Sequence, residues 1–274
     1  HGAHRSNWVY QKSTDNGRSF EAPVSILKTK PRTDMPAHDS WYAWFLKGHG
    51  NEIIAGYNYH LCKEEGVHDG ERHNGYYMVM DTKDHVWRNV KGEKLAAPVT
   101  KELSDKKTLI VDTGDQWTVR GTATLDSEGH PHCTFTIGEH LGLHHGGPKQ
   151  INHFRWTGKD WTKGGCPDLP VAVGDLIAAS PLEVNLLLGG KNEEGAGEVA
   201  WWRSTDGGEK FVRDDALLSL KKTGVSVTSL IRNAHPDARM IVAGKKGSSD
   251  FCKMYLVGDN GPVQRLKTEA NQLT

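Results

Sequence analysis

One eight-residue pattern occurs twice in the chain and restricts the fold more than any other feature. Residues 13–20 and 204–211 both read S-T-D-x-G-x-x-F, and each copy follows a short aromatic segment, W-V-Y or W-W-R. In such a segment the Asp side chain accepts backbone N–H groups across a tight turn, the Gly supplies a positive φ, and the aromatic residue packs beneath the turn. The same turn after the same kind of strand predicts a repeated β-hairpin.

Further turn signals occur at equivalent points along the chain. Residues 81–87 read D-T-K-D-H-V-W, a degenerate third copy, and residues 157–161 and 258–261 are also typical of turns. Between the turns, short runs rich in aromatic and β-branched residues recur, whereas only residues 214–220 could form one or two helical turns. Many short strands at regular spacing predict a sandwich, a barrel or a propeller, and the repeats favour the propeller.

These turns divide the chain into the blades of one all-β propeller domain. The first blade, residues 1–23, holds only its last strands, and the others cover about 40–100, 118–166, 174–215 and 224–268. We therefore predict four-stranded blades, about four and a half of them in 274 residues. Since a ring is usually closed by strands from both termini, we expect a seven-bladed ring whose N-terminal blades precede this chain. A complete five-bladed ring is the alternative.

Charge and hydropathy exclude two classes of partner. The 34 basic and 34 acidic side chains balance, whereas a nucleic-acid binder would show a basic excess. No apolar run approaches the roughly 18–20 residues that span a bilayer. We expect a monomer with neither a nucleic-acid nor a membrane partner. The chain starts without Met and shows no signal peptide, so we expect a mature, trimmed or partial sequence.

Cysteine and histidine suggest where a metal could bind. The four cysteines are widely spaced, which is typical of buried thiols rather than of a disulfide framework. Of 15 histidines, 14 lie at or before residue 153. His60 and Cys62, with His68 in the following loop, offer the imidazole and thiolate ligands that zinc prefers, although no standard finger spacing is present. We expect no cofactor for the chemistry and at most a structural zinc or calcium ion.

Two segments in the first half carry a more specific signature. Residues 4–10 read H-R-S-N-W-V-Y and run into the first repeat, and residues 72–78 read R-H-N-G-Y-Y-M. W-R-N follows at 87–89, and a G…L…P-V-T pattern extends from 92 to 100. Over about residues 1–165 this pattern resembles polysaccharide lyases of the ulvan lyase type, whose propellers carry the Asp box, or bacterial neuraminidase repeat.

The resemblance implies a groove that binds an anionic, uronate-containing polysaccharide and cleaves it by β-elimination. His4 matches the second of two family histidines, and the first would lie upstream of this chain. Tyr57 best matches the catalytic tyrosine, with Tyr59 as the alternative. Arg72 matches the arginine that neutralises the uronate carboxylate.

These residue types suit that chemistry. Arginine binds carboxylates through two parallel hydrogen bonds, histidine titrates near neutral pH, and tyrosine can transfer a proton beside a cation. Each of the three residues also has a structural alternative: a surface ion pair for Arg72, core packing for Tyr57 and a structural histidine for His4. The residues that we predict to bind substrate are Tyr59, His73, Asn74, Trp41 and Arg120. Trp41 would be a sugar platform or a core residue, and Arg120 would bind a sulfate or a second carboxylate, or serve a structural role.

The sequence therefore predicts a lyase, secreted, periplasmic or on the cell surface, that acts on ulvan or a similar sulfated polysaccharide. One alternative is a sialidase-like glycoside hydrolase. Such an enzyme needs an arginine triad and a Tyr–Glu pair, and the sequence does not supply this set around Arg72, Arg120 and Arg155. The other is a propeller that binds glycans without cleaving them, because a fold does not fix a function.

Overall fold

The chain folds into successive antiparallel sheets, which we call blades one to five. The computed structural model describes residues 4–63, 70–162, 169, 172–231, 233–245 and 252–264. Blade one contains β1 (Trp8–Tyr10) and β2 (Val24–Leu27); blade two contains β3 (Lys30–Pro31), β4 (Ala37–Lys47), β5 (Glu52–Lys63), β6 (Arg72–Asp81), β7 (Val86–Arg88) and β8 (Leu109–Val111). Blade three contains β9 (Thr118–Leu125), β10 (Pro131–Gly138) and β11 (Lys149–Arg155); blade four contains β12 (Ala172–Ala178), β13 (Val184–Lys191), β14 (Gly197–Ser204) and β15 (Val212–Leu220); blade five contains β16 (Gly224–Val227), β17 (Met240–Lys245), β18 (Cys252–Gly258) and β19 (Gly261–Pro262).

The predicted all-β fold of repeated blades is confirmed, and each predicted blade from the second onward overlaps one observed sheet. The number of blades in a complete ring stays a prediction. One local prediction was wrong: residues 214–220 lie in strand β15, because pairing with β14 supplies their backbone hydrogen bonds. No helix among the described residues has the length and apolar character of a membrane span.

The α-helix of the described chain, α1 (Lys101–Lys107), was not predicted from the sequence. The Thr100 hydroxyl accepts a hydrogen bond from the backbone N–H of Leu103 at 3.3 Å and caps the first turn. Glu102 lies in the first turn and Lys106 and Lys107 lie in the last, each sign favourable to the helix dipole. The helix packs through Leu103 and contributes to the core between blades one and two.

The two repeats form the same turn. In the first, the Asp15 carboxylate accepts the backbone N–H of Ser19 at 2.9 Å, and in the second the Asp206 carboxylate accepts the backbone N–H of Lys210 at 3.1 Å. The aromatic residue that ends the pattern behaves differently in the two copies. Phe211 is buried as predicted, but Phe20 is 60% exposed, so burial of the aromatic is not a property of the turn itself.

Apolar side chains pack between successive blades. Because side chains alternate along a strand, those of one blade pack partly against the preceding blade and partly against the following blade. Trp41 and Tyr57 lie in the cluster shared with blade one and α1. Ile54 and Tyr77 lie in the cluster shared with Phe135 of blade three. Blade two therefore has two different faces, and this difference determines which of its polar residues can reach the groove described below.

Candidate active site

Three polar side chains from blade two and the segment before β1 meet at the edge of an open cavity. The Tyr42 hydroxyl accepts a hydrogen bond from Nη2 of Arg72 at 3.1 Å and lies 3.2 Å from Nδ1 of His4. The guanidinium carbon of Arg72 lies 4.2 Å from the centroid of the Tyr42 ring. Tyr42 thus contacts a fixed positive charge and an imidazole at the same time, an arrangement suited to proton transfer beside an anion.

Strand geometry brings these residues together. Tyr42 on β4 pairs with Asn58 on β5, while His60 on β5 pairs with Arg72 on β6. The His60 ring lies 5.1 Å from the Tyr42 ring and 5.4 Å from the His4 ring, centroid to centroid, so it packs against both. The Ser40 hydroxyl donates to the backbone carbonyl of His4 and fixes the segment before β1 against blade two.

Burial and charge act in opposite directions on this cluster. Partial burial raises the pKa of Tyr42, while the nearby Arg72 charge opposes that rise. The pKa of Arg72 is lowered chiefly by burial, and the like charge of Arg120 adds to the effect. Arginine nevertheless stays protonated at any physiological pH. In the free protein, a neutral phenol therefore lies against a permanent cation.

The groove beside this cluster consists of two adjoining cavities of about 590 and 640 Å³. Both are lined by Arg72 and Arg120. Tyr42 and Trp44 line the first cavity, and Lys149 and Lys191 line the second. The acidic residue among the described residues at the groove is Asp175, which is buried and accepts hydrogen bonds from Thr122 and from the backbone of Leu230. The accessible charges of the groove are therefore positive.

The structure places the predicted tyrosines in the core. Tyr57 is fully buried, and its hydroxyl lies 2.6 Å from that of Thr108 and 3.2 Å from that of Ser104. Tyr59 is buried too, and its hydroxyl donates to Asp39 at 2.7 Å. Burial raises the pKa of both phenols above the ordinary value. Because both face away from the groove, we correct the assignment of Tyr57 and its alternative Tyr59, and we also remove Tyr59 from the substrate-binding residues.

Trp41 is likewise a core residue and not a sugar platform. It is 1% exposed, and its indole N–H donates to the backbone carbonyl of Lys28 at 2.9 Å. The period of two along β4 gives the physical reason, since Trp41 and Tyr42 are adjacent and must point to opposite faces of the sheet.

His73 and Asn74 follow Arg72 on β6 but do not line the groove. His73 lies 3.2 Å from the Glu71 carboxylate. Asn74 has a φ of 57° at an irregularity of the β5–β6 ladder, and its side-chain carbonyl accepts the backbone N–H of Thr113 at 2.9 Å. Both side chains make structural contacts within their own blade, which leaves their predicted substrate contacts without support. Arg120 lines both cavities of the groove, and His4 contacts Tyr42, which lines the first.

The predicted metal site rests on residues that the structure describes only in part. His60 and Cys62 are buried in blade two, and His68 lies outside the described residues. Among the described residues, no group of three histidine, cysteine, aspartate or glutamate side chains is arranged to hold a metal ion. The zinc or calcium ion stays a prediction.

Sequence reasoning missed Tyr42, Lys149 and Lys191. The alternation along β4 contained a usable signal, because a tyrosine next to a buried tryptophan must lie on the opposite face. The sequence around the two lysines did not indicate a binding role, because single lysines are common at the ends of strands. They come together only because β11 and β13 belong to neighbouring blades.

Comparison with known proteins gives a consistent result. No protein-family model matches the chain. An ulvan lyase of Nonlabens ulvanivorans is 46% identical over 279 residues, which cover the whole chain and 59% of that protein. The Ulvan Lyase-PL25 of Pseudoalteromonas sp. (strain PLSV) is 46% identical over 275 residues, which cover 97% of the chain and 56% of that protein. The chain thus spans somewhat more than half the length of these relatives.

A solved structure shows the same fold. The polysaccharide lyase PL25-ulvan lyase bound to -[GlcA(1-4)Rha3S]- superposes with a TM-score of 0.91 at 45% identity, over 97% of this chain and 62% of that one. The predicted resemblance to polysaccharide lyases of the ulvan lyase type is therefore confirmed, and it extends beyond residue 165, where the sequence motifs end.

Proposed function

Because the chain resembles ulvan lyases along its whole length, we propose that it forms the larger part of a polysaccharide lyase. Its substrate would be ulvan or a similar sulfated polysaccharide with uronic acid units, cleaved by β-elimination. The observation that carries the proposal is the contact of Tyr42 with both Arg72 and His4 at the edge of a cation-lined groove.

Arg72 is the group that would neutralise the uronate carboxylate. Abstraction of the proton on the carbon next to that carboxylate builds up a second negative charge, so a fixed cation must stabilise it. The Arg72 guanidinium lies over the Tyr42 ring and donates a hydrogen bond to the Tyr42 hydroxyl rather than to a carboxylate. Its charge is therefore available to a uronate that enters the groove.

His4 and Tyr42 would carry the proton transfers. We assign the base to His4, because imidazole accepts protons near neutral pH. We assign the acid to Tyr42, because burial keeps its phenol protonated. His4 would take the proton on C5 of the uronate, and Tyr42 would protonate the oxygen on C4 as its bond to carbon breaks. The products are a new chain end and an unsaturated uronate with a C4–C5 double bond.

The same geometry supports a lyase over a sialidase-like hydrolase. A sialidase needs three converging arginines and a carboxylate beside its tyrosine. Arg155 donates to the backbone carbonyl of Pro181 at 3.0 Å and lines neither cavity, and no accessible carboxylate lies among the described residues that line the groove. A binding module without catalysis would not require the contact between His4 and Tyr42.

We also propose that the protein acts outside the cytoplasm, secreted, periplasmic or on the cell surface, because a polymer of this kind is too large to enter the cell intact. The chemistry assigned above needs no cofactor, and a structural metal ion would serve stability alone.

Incubation of the purified protein with ulvan tests the proposal. Ultraviolet absorbance of unsaturated uronate that rises together with new reducing ends supports the lyase. Reducing ends without that absorbance would indicate a hydrolase, and binding without either signal would indicate a non-catalytic module.

A further inference from the structure

The Arg72 guanidinium is held by two aromatic rings and not by a carboxylate. Its central carbon lies 4.2 Å from the centroid of the Tyr42 ring and 5.5 Å from that of the Trp117 ring. Among the described residues, its side chain donates one hydrogen bond, to the Tyr42 hydroxyl, and its buried Nε has no hydrogen-bond partner. A guanidinium has five N–H donors, so this hydrogen bond alone does not fix its orientation.

An aromatic ring suits this position better than an acidic side chain would. A carboxylate beside Arg72 would neutralise the charge and would compete with the uronate for the same donors. A ring face attracts the cation through its quadrupole and takes up none of the N–H groups, and tryptophan does so most strongly. The N–H groups of Arg72 that do not bind Tyr42 therefore stay available to a substrate.

Trp117 is itself fixed by β10 and by the loop that follows it. The side chain is 3% exposed and lines the second cavity beside Arg72. The backbone N–H of Gly138 donates to the Trp117 carbonyl at 2.6 Å. Gly146 packs so closely that an added Cβ would lie 2.4 Å from Cβ of Trp117, and the His145 ring meets the indole edge to face, with 6.1 Å between centroids. So little exposed ring leaves no face on which a sugar could stack.

The segment that follows Trp117 is bound to the two strands of blade two that surround Arg72. The Asn58 side-chain amide on β5 donates to the backbone carbonyl of Thr118 at 3.1 Å. The Thr118 hydroxyl donates to the backbone carbonyl of Asn74, two residues after Arg72 on β6, at 3.2 Å. The Trp117 ring thus has a defined position relative to Arg72 across the boundary between blades two and three.

We propose that Trp117 is a positioning residue that holds the Arg72 guanidinium in place for the uronate carboxylate. The inference rests on the proposed function and adds to it a residue that touches no substrate. Elimination depends on the position of the cation, because a displacement of about 1 Å in a positioned group can cost about 100-fold in rate. Without the indole face, the guanidinium would keep its charge but lose one of the two rings that fix its orientation.

A double-mutant cycle separates this role from a merely structural one. Trp117→Leu and Arg72→Lys are made singly and together, and kcat/KM for the formation of unsaturated uronate from ulvan is measured with the melting temperature of each variant. Trp117→Phe keeps a ring face and is the conservative variant. Trp87→Leu is the matched control, because Trp87 is equally buried and packs against Phe45 in the core between blades one and two.

We expect Trp117→Leu to lower kcat/KM about tenfold or more, and Trp117→Phe to keep most of the wild-type value. In the Arg72→Lys background, Trp117→Leu should lower kcat/KM by less than about twofold further, because the planar guanidinium that the ring orients is gone. Trp87→Leu should lower the melting temperature and leave kcat/KM unchanged below the transition.

An equal loss of kcat/KM from Trp117→Leu in both backgrounds, or a folded Trp117→Leu protein with wild-type kcat/KM, would overturn the inference and leave the lyase in place. If Trp117→Leu does not fold, Gly146→Ala takes its place in the cycle, because the added Cβ would displace the ring without removing it. Absence of elimination products from the wild-type protein would refute the proposed function, and this inference with it.

Discussion

Replacement of Tyr42 by phenylalanine is the sharpest test of the active site. The change removes the hydroxyl that contacts both Arg72 and His4, while the ring stays available to the guanidinium 4.2 Å from its centroid. If Tyr42 protonates the leaving oxygen, the variant loses its general acid but keeps the carboxylate-binding cation. We therefore expect the effect in kcat rather than in KM.

The size of the effect follows from this role. Loss of a positioned acid or base typically costs about 10²- to 10⁴-fold in rate, or about 3–5 kcal/mol in the barrier. Stability should change little, because Tyr42 is half-buried and its hydroxyl lies at a solvent-accessible groove. A melting temperature within a few degrees of the wild type would show that the loss of rate is not unfolding.

Tyr57→Phe is the matched control, because it removes the same atom from a core position on the same blade. The Tyr57 hydroxyl contacts those of Ser104 and Thr108, and Thr108 also donates to the backbone carbonyl of Ser104 at 3.0 Å. Loss of these contacts should cost about 1–2 kcal/mol of the free energy of unfolding. The kcat below the melting transition should stay close to that of the wild type.

Initial rates of unsaturated-uronate formation over a range of ulvan concentrations, together with thermal denaturation, separate the two outcomes. The reasoning would be refuted if folded Tyr57→Phe were inactive while Tyr42→Phe kept wild-type kcat. In that case the tyrosine assignment made from sequence resemblance would be right, and the groove seen in the structure would not be the catalytic surface.

Three further predictions concern Arg72, the cation that we propose to bind the uronate carboxylate, and the core between blades three and four. Arg72→Lys should lower kcat/KM about 10- to 100-fold, because an ammonium group keeps the charge but loses the planar fork. Initial rates of unsaturated-uronate formation measure this change. An unchanged kcat/KM would exclude Arg72 as the group that binds the uronate carboxylate. Burial lowers the pKa of His132 from 6.5 to about 4 and also lowers that of His153, so the unfolded state binds more protons below pH 6.5. The free energy of unfolding in urea should therefore decrease as pH falls from about 6.5 toward 4, and a flat profile would contradict the buried pair. Gly208→Ala should lower the free energy of unfolding by about 2–5 kcal/mol, because φ is +90° and a Cβ would collide with the His153 ring. Gly17→Ala, at the matching position of the first repeat, has a φ of +80° but open space around the added Cβ, so it should cost about 1–2 kcal/mol. Equal losses in the two variants would show that the collision does not matter.

The His132 and His153 pair shows a limit of sequence reasoning about histidine. Fourteen of the 15 histidines lie at or before residue 153, which suggested imidazole chemistry in that half. His132 and His153 instead contact each other at 3.1 Å in the core of blade three, and His132 also lies 3.3 Å from the Asp126 carboxylate. Both side chains are buried, so they lie outside the groove, and a count of residues along the chain does not distinguish them from histidines at the groove.

The sequence by itself determined the blades, because their signals are local. Alternation along a strand and the hydrogen bonds of an S-T-D-x-G-x-x-F turn involve residues within a few positions of each other. The motif at residues 72–78 singled out Arg72, which lines the groove in the structure and pairs with His60 across β5 and β6, and its catalytic role stays a prediction.

Only the tertiary structure decided which tyrosine faces the groove and which cations gather there. The alternation states that Tyr57 and Tyr59 share a face and that Trp41 and Tyr42 do not, but it does not say which face is covered. Packing of blade one and α1 against one side of blade two decides that, since it buries Tyr57 and leaves Tyr42 at the cavity. In the same way, Arg120 lines the cavity only because a bulge gives it a positive φ and blades three and four adjoin. These relations depend on contacts between residues far apart in the chain, which no local pattern encodes.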